Sequence, residues 1–383
     1  MGQHQLARLE ATSLMVGGGV GAGIMAVPFL AERVGLVGLA IILPIAWAAS
    51  SLIHLMLAEV LFRTGRDLQV VELMRLYVFR GRFGRWILWL VFVLLSLAFV
   101  ANLAAYVSGA GEIVADLLGA NQRAAELAVY VVSAGVVFYG LRSVGVAERF
   151  GAMALLGLIL AIGIGALGVP VRAASGATGS ARQWLALYGM VMYALWTFYS
   201  VPQVVQGLGP DRKGAVGAIL VGLGINGVLT AVVALIALGV STEVTEVAII
   251  GISARLGSWA GAAGSLFIVF ALVTSYWSVS LALADILRQR TRIPGRPAWL
   301  LATLPSLLIL WVGAWQFLEW LRLAAGATAL AVALITIPMY GQARSSGPVR
   351  HPGWSLGRWG SPAMMAPVLL ALILMAIGSL VEL

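Results

Sequence analysis

The amino-acid sequence predicts an all-α membrane protein, and three observations support that prediction. Hydrophobic residues make up 61% of the 383 residues, with a mean hydropathy of +1.00. Charged residues amount to only 10%, whereas soluble domains carry about 25%. Apolar stretches of about 20 residues, the length that crosses a bilayer as a helix, recur along the whole chain. We therefore expect a single transmembrane domain over residues 1–383.

Eleven apolar stretches are long enough to form membrane-spanning helices, numbered one to eleven in chain order. The longest segment between them, Arg63–Arg85, contains a pattern typical of a short surface helix around Leu68–Phe79. The expected limits of the eleven helices are residues 12–33, 36–62, 86–118, 124–141, 147–169, 184–209, 214–240, 258–285, 297–314, 321–341 and 362–382.

The basic residues are distributed unevenly between the two sides of the membrane. With a cytoplasmic N-terminus, 18 of the 24 lysine and arginine residues fall in cytoplasmic segments. The exceptions are Arg33, Arg123, Arg172, Arg182, Arg255 and Arg322. The positive-inside rule then predicts a cytoplasmic N-terminus and an extracytoplasmic C-terminus. The net charge of +9 follows from these loops, so no nucleic-acid partner is expected.

Ten of the helices divide into two blocks of similar length. Helices one to five occupy about 12–169 and helices six to ten about 185–341, with helix eleven, 362–382, appended. Because each block crosses the membrane five times, the second block is inverted relative to the first. Inverted repeats are typical of secondary transporters, whose sites lie at the midplane between discontinuous helices.

Helix one contains a stretch that makes a poor helix. Five of the seven residues in Gly17–Gly23 are glycine, and each costs a helix interior roughly 1 kcal/mol relative to alanine. Pro28 further removes a backbone donor. A broken helix inside a bilayer is tolerated only where protein buries it or a cavity hydrates it. We therefore expect helix one to be discontinuous and to form half of a binding site.

Helix six occupies the corresponding place in the second block and should be broken as well. Its residues Trp196–Ser200 are aromatic, β-branched or polar, and they run into Pro202. The inverted repeat thus predicts that helices one and six are both discontinuous.

The glycine-rich stretch also resembles a known family. Gly17-Gly-Gly-Val-Gly-Ala-Gly-Ile-Met-Ala-Val-Pro-Phe29, followed by Gly35, resembles the first helix of amino acid/auxin permeases within the amino acid, polyamine and organocation transporter superfamily. Helix six, with Val201-Pro202 before a short basic loop, is similar to the same family. The resemblance implies the fold of the bacterial leucine transporter and a secondary amino acid symporter of the inner or plasma membrane, working by alternating access.

The same resemblance implies a substrate site between the two breaks. Backbone N–H groups at Gly21–Gly23 would bind the substrate carboxylate, and freed carbonyls near Gly19 and in 194–197 would bind its ammonium group. Aromatic side chains of helix six suggest a neutral, large or aromatic amino acid. Close helix packing is the alternative reason for the glycines. The expected substrate-binding residues are Gly19, Gly21, Ala22, Gly23, Tyr106, Ala194, Trp196, Thr197 and Phe198.

A sodium site is implied between helices one and eight. The segment Phe270–Ser275 resembles the sodium-binding segment of coupled relatives, with a carbonyl from Ala271 and hydroxyls from Thr274 and Ser275. Gly17 and Val20 occupy the matching carbonyl positions on helix one. The two hydroxyls could instead bond back into their own helix. Ile24 stands where a second sodium site needs a polar side chain, so one ion is expected.

Two rival functions remain open at this stage. A proton could replace sodium, carried by His54 or Glu59, which are ionisable groups inside helix two and functional candidates for that reason; Glu59 could equally pair with Arg63. A sensor or germinant receptor could bind an amino acid without transporting it. Asn102 and Asn226 suit either interhelical hydrogen bonds or the transport pathway.

An enzyme is not expected. The chain has no cysteine, and its spans hold no nucleophile, base and carboxylate at usable spacing. We expect no cofactor besides the coupling ion, no obligate protein partner, and contact with membrane lipid.

Overall fold

The structure is a computed structural model that describes residues 6–169, 179–245, 247–312 and 335–381. These ranges are helical with no strand, which confirms the predicted all-α class. The helices are α1 Arg8–Gly19, α2 Ala22–Val34, α3 Leu36–Thr64, α4 Val70–Tyr77, α5 Gly81–Leu118, α6 Gln122–Phe138, α7 Leu141–Ala166, α8 Ala181–Ala194, α9 Val201–Leu208, α10 Arg212–Val240, α11 Ala248–Leu256, α12 Ser258–Thr291, α13 Gly295–Val312, a helical segment α14 over 335–346, and α15 Pro362–Ser379.

Polar side chains begin several of these helices. The carboxamide of Asn121 accepts backbone N–H groups at the start of α6, and Asp211 accepts the Gly214 N–H at the start of α10. Ser180 and Gln183 form a reciprocal capping box before α8. Each cap satisfies N–H groups that have no acceptor within their own helix.

The number of membrane spans is only partly tested by the structure. Within the described ranges, seven helices are long and apolar enough to cross a membrane, and the bent pair α1–α2 makes an eighth. The start of helix ten, at 321, and the end of helix nine, at 314, lie outside the described residues. The count of eleven, the two-block repeat and the orientation of the termini therefore stay predictions.

Most helix limits match the sequence within three residues, and the largest differences are six residues. Helix α12 continues six residues beyond the predicted end at 285, because Asp285 and Arg288 pair along its surface at 2.9 Å. Helix α7 begins six residues before the predicted 147. The predicted surface helix is α4. Helix α11 was not predicted from the sequence.

Helix α1 and its continuation α2 lie at the centre of the bundle. Helix α1 packs against α7, α10 and α12, while α2 packs mainly against α8 and α10. Helix α15 packs on α8, where a Cβ on Gly189 would come within 2.6 Å of the Gly378 backbone. The first discontinuous helix is thus enclosed on all sides by helices of both predicted blocks.

Candidate functional site

Helix one is discontinuous, as predicted. Helix α1 ends at Gly19 and α2 begins at Ala22, and the two axes differ by 53°. Gly21 has extended backbone angles. Since α2 starts at Ala22, its first N–H groups have no acceptor within the helix, which leaves them for a ligand. Pro28 does not contribute to the break: it lies inside a continuous α2, so the glycines alone mark the position.

The glycines of the break also allow close packing. A Cβ on Gly19 would overlap the Asn226 carboxamide and lie 2.6 Å from the Thr197 methyl group. A Cβ on Gly23 would lie 3.2 Å from the Ala194 Cα atom. The packing explanation therefore fits Gly19 and Gly23, and the binding explanation stays a prediction for the same residues.

Helix six is broken at the expected place. Helix α8 ends at Ala194, a single 3₁₀ turn covers Phe198–Ser200, and α9 follows with Pro202 in its first turn, where proline lacks only a donor that would be unused anyway. The predicted discontinuity of both helices is thus present in the structure.

Side chains of α3 bind the backbone that the second break exposes. The Thr197 N–H donates to His54 Nε2 (3.1 Å), and the Ser50 hydroxyl donates to the Leu195 carbonyl (3.0 Å). His54 Nδ1 lies 2.6 Å from the Ser50 carbonyl. Because Nε2 accepts and the carbonyl can only accept, the imidazole is neutral with its proton on Nδ1. His54 thus stabilises the break in helix six.

A cavity lies between the two breaks. Six of the predicted substrate-binding residues line it: Gly19, Gly21, Gly23, Tyr106, Trp196 and Thr197. Three further lining residues, Asn102, Tyr193 and Tyr199, agree with the sequence, which offered Asn102 for the transport pathway and the helix-six tyrosines for an aromatic pocket, and Ser275 is a predicted sodium ligand. The sequence did not assign the remaining lining residues to the site: Gly18, Phe99, Ser200, Ser278, Val279 and Met375.

The other predicted substrate-binding residues occupy different places. Ala22 supplies the first backbone N–H of α2, and Ala194 lies behind Gly23. Phe198 lies outside the cavity lining, because its ring stacks on Trp196 and meets His54 edge-on. Phe198 therefore holds the Trp196 ring in position and does not face the cavity.

The cavity is aromatic, with a few polar groups. Two of these, Trp196 Nε1 and the Tyr199 hydroxyl, are buried without a hydrogen-bond partner in the described part of the chain. Buried polar groups are normally hydrogen-bonded, so both are available to a ligand. The Tyr193 hydroxyl donates to the Asn102 carboxamide oxygen at 3.4 Å.

The five predicted sodium ligands fall in one region between α1 and α12. The Ser275 hydroxyl donates to the Gly17 carbonyl (3.2 Å) and lies 3.5 Å from the Val20 carbonyl. The Thr274 hydroxyl donates to the Ala271 carbonyl of its own helix (3.1 Å). Ser275 thus joins α12 to the break in helix one, while Thr274 makes the local bond that was the alternative. We call these five residues the oxygen cluster.

Glu59, one of the two candidate proton carriers, belongs to a buried ion-pair network. Its carboxylate accepts from Arg63 Nε (2.8 Å), the Tyr340 hydroxyl (2.8 Å) and the Leu356 N–H (2.9 Å). The network joins α3 to α14 and to the loop after it. A structural role explains every contact of this carboxylate.

Replacing Glu59 with glutamine is expected to lower the melting temperature without changing how uptake depends on pH. Arg63 loses its counter-charge, and breaking a buried pair from one side costs about 3–5 kcal/mol. Thermal unfolding in detergent measures the effect, with exposed Glu112→Gln as the control. A stable Glu59→Gln variant whose uptake no longer responds to pH would identify Glu59 as a proton carrier instead.

The sequence analysis missed two residues that lie at the cavity or beside the oxygen cluster. Glu148 of α7 is fully buried beside Gly17. As an acid inside predicted helix five it carried a usable signal. Met375 lines the cavity from α15, and no sequence pattern indicates that the appended helix reaches the site. Asn226 forms an interhelical bond, donating to the Met15 carbonyl at 2.9 Å.

Comparison with known proteins gives two findings. A family model described as "Tryptophan/tyrosine permease family" matches residues 5–378. Among solved structures, the fold is similar to Mhp1, a nucleobase-cation-symport-1 family transporter in a closed conformation with bromovinylhydantoin bound. The TM-score is 0.66 at 13% identity, over 97% of this chain and 91% of that chain. The search of curated proteins finds no match.

These findings confirm the predicted multi-pass transporter fold. They also confirm the prediction that the chain is a permease and not an enzyme. The narrower resemblance to amino acid/auxin permeases, drawn from the sequence, is not confirmed by them.

Proposed function

The chain belongs to the tryptophan/tyrosine permease family, and from that premise we propose that it is a secondary transporter of an aromatic amino acid, coupled to sodium. The observation that supports this best is the cavity between the two helix breaks. It combines aromatic walls with helix-terminal N–H groups, and an aromatic amino acid needs both.

The backbone would bind the amino acid's charged groups. The first N–H groups of α2 carry the partial positive charge of a helix N-terminus, which favours a carboxylate. The carbonyls at the end of α1 suit an ammonium group, and that of Gly19, which accepts the Gly21 N–H at 2.8 Å, keeps a second lone pair for it. Glycine at 21 and 23 removes the side chains that would keep a ligand from the backbone.

The side chain would lie among Phe99, Tyr106, Tyr193, Trp196 and Tyr199, which line the cavity. Aromatic rings attract one another edge-to-face. The oxygen of a phenol substrate could accept from the unpartnered Trp196 N–H, and the N–H of an indole substrate could donate to the Tyr199 hydroxyl oxygen. A site built to hydrogen-bond a substrate rejects analogues that lack the group. This favours tyrosine or tryptophan over leucine.

Sodium coupling is supported by the oxygen cluster. Three carbonyls and two hydroxyls are hard, neutral ligands, and these suit sodium better than calcium or magnesium, which prefer carboxylates. Since Ser275 borders both the cluster and the cavity, an ion here would hold α1 against α12 next to the substrate. This physical link would couple the movement of the ion to the movement of the substrate.

Uptake by purified protein in proteoliposomes tests the proposal. We expect tyrosine or tryptophan uptake to follow an inward sodium gradient, and Thr274→Ala combined with Ser275→Ala to remove the sodium dependence. Ser280→Ala is the matched control, because among the described residues that hydroxyl bonds within α12 alone. Sodium-driven uptake that survives the double substitution would contradict the ion site, and uptake driven only by a pH gradient would replace sodium with a proton.

A thermal-shift series over the amino acids tests the substrate class separately, since a ligand that binds the folded state raises its apparent stability. Stabilisation by aliphatic amino acids but not by aromatic ones would contradict the aromatic assignment. Saturable binding with no counterflow would favour a sensor.

A further inference from the structure

The N-terminal end of α5 carries arginine and tryptophan side chains on one face. Arg82, Arg85, Trp86 and Trp89 are spaced by three or four residues, so they are neighbours on the helix surface. Trp86 is 73% exposed and Trp89 is 43% exposed. The two arginines are exposed as well, and neither forms an ion pair in the described part of the chain. A face that is both basic and aromatic is therefore open at this end of α5.

Arg290 of α12 lies beside this face and has a free donor. Its guanidinium group lies over the Trp89 ring, 4.4 Å from the ring centre, and its side chain is only 10% exposed. Glu72 of α4 lies 3.6 Å from Arg290, but it pairs more closely with Arg75, at 2.5 Å. The Arg290 Nε group has no hydrogen-bond partner among the described residues. Buried donors normally have an acceptor, so an acceptor from outside the chain would complete this site.

Positive charge is in excess where α4, α5 and α12 pack together. The segments that meet there, residues 66–89 and 285–292, hold eight arginines against three acidic residues, an excess of five positive charges. One of the three acids, Asp285, is already paired with Arg288 at 2.9 Å. The arrangement therefore favours an anion, and guanidinium groups bind phosphate oxygens through two parallel hydrogen bonds.

The basic face continues into an apolar surface on the same helix. Helix α5 has 38 residues and is about 57 Å long, whereas the hydrocarbon core of a bilayer is about 30 Å thick. The ends of α5 therefore extend beyond that core. Exposed apolar side chains follow the basic face along the helix: Leu90, Val93, Leu94 and Leu97. A molecule bound here would meet positive charge at one end and an apolar surface at the other.

We propose that this face of α5, together with Arg290, binds an anionic phospholipid. The phosphate would accept from Arg82, Arg85 and the free Arg290 donor, and the acyl chains would lie along the apolar surface of α5. Trp86 and Trp89 would lie at the headgroup level, where tryptophan is enriched. Basic pockets between membrane helices on the cytoplasmic side bind anionic headgroups, and the predicted orientation places this end of α5 on that side. The proposal is independent of the transported substrate and of the coupling ion.

Titration of the purified full chain with phosphatidylglycerol in detergent, followed by native mass spectrometry, tests the proposal. Arg82→Gln combined with Arg85→Gln is expected to weaken binding about twenty-five-fold, since each arginine near an anionic membrane surface contributes about fivefold. The matched control is Lys213→Gln combined with Arg350→Gln. It removes the same charge from two other exposed residues of the predicted cytoplasmic side, and it should bind the lipid like the wild type.

Arg290→Gln tests the buried donor separately. Arg75 still pairs with Glu72 in this variant, so α4 keeps an ion pair, and binding should weaken about fivefold. Unchanged affinity would overturn the role of Arg290.

Three results would overturn the lipid site itself. The first is unchanged affinity in the α5 double variant, and the second is an equal loss in its control, which would mean that surface charge acts without a site. The third is equal binding of phosphatidylcholine, whose headgroup has no net charge. Inorganic phosphate that binds as tightly as phosphatidylglycerol would replace the lipid with a free phosphate as the ligand.

Discussion

Uptake through Gly19→Ala is expected to fall at least about fivefold, because the position has no room for a methyl group. Its Cβ would overlap the Asn226 carboxamide and press on Thr197. Asn226 holds the Met15 carbonyl of α1, and Thr197 belongs to the break in helix six. Overpacking costs typically 1–3 kcal/mol, roughly 5- to 150-fold in an equilibrium constant.

A matched control exists on helix α10, where a Cβ added at Gly224 would meet nothing within 4 Å. Gly224→Ala should transport like the wild type. Uptake is measured in proteoliposomes and normalised to the folded fraction from size-exclusion chromatography. A Gly19→Ala protein with full activity would show that the break is wider than the structure has it.

Replacing His54 with leucine is the second change with a large expected effect. The Thr197 N–H would lose its acceptor inside the protein, and a buried unsatisfied group costs about 1–3 kcal/mol. We expect a lower melting temperature and weaker binding of the aromatic substrate, because Thr197 lines the cavity. A proton on Nε2 would face the same N–H, donor against donor, which speaks against His54 as a proton carrier.

Two adjacent serines provide an internal control for that result. Ser50 donates to the Leu195 carbonyl, whereas the Ser51 hydroxyl is buried without a partner among the described residues. Ser50→Ala should therefore lower substrate affinity in the same direction as His54→Leu, and Ser51→Ala should not. Thermal unfolding and substrate titration measure both. Equal effects of the two serine changes would mean that α3 does not specifically stabilise the break.

The break in helix one could be predicted from the glycine-rich stretch, because the backbone preference of each residue is a local property. Glycines at 17–23 predicted the break in helix one, and the inverted repeat carried that prediction to helix six. The expectation that Pro28 contributes to the break was wrong, since a proline can be accommodated inside a membrane helix whose neighbours satisfy the freed carbonyl.

Side-chain direction was harder to predict than helix position. Trp196 lies in the irregular segment after α8 and Phe198 begins the 3₁₀ turn, so no single periodicity says which ring faces the cavity. Glu148 went unnoticed because its neighbour Arg149 made the segment look like a helix end at the membrane surface. Only the position of Gly17, 131 residues earlier in the chain, shows where that carboxylate is directed.

Helix α15 stands outside the two predicted five-helix blocks, yet it packs on α8 through Gly189 and Gly378 and supplies Met375 to the cavity wall. Methionine is unbranched and fills irregular space, so it adapts to neighbours of different shape. We therefore expect a substitution at Met375 to change which ligands fit the cavity, and to leave the backbone of the two breaks unaltered.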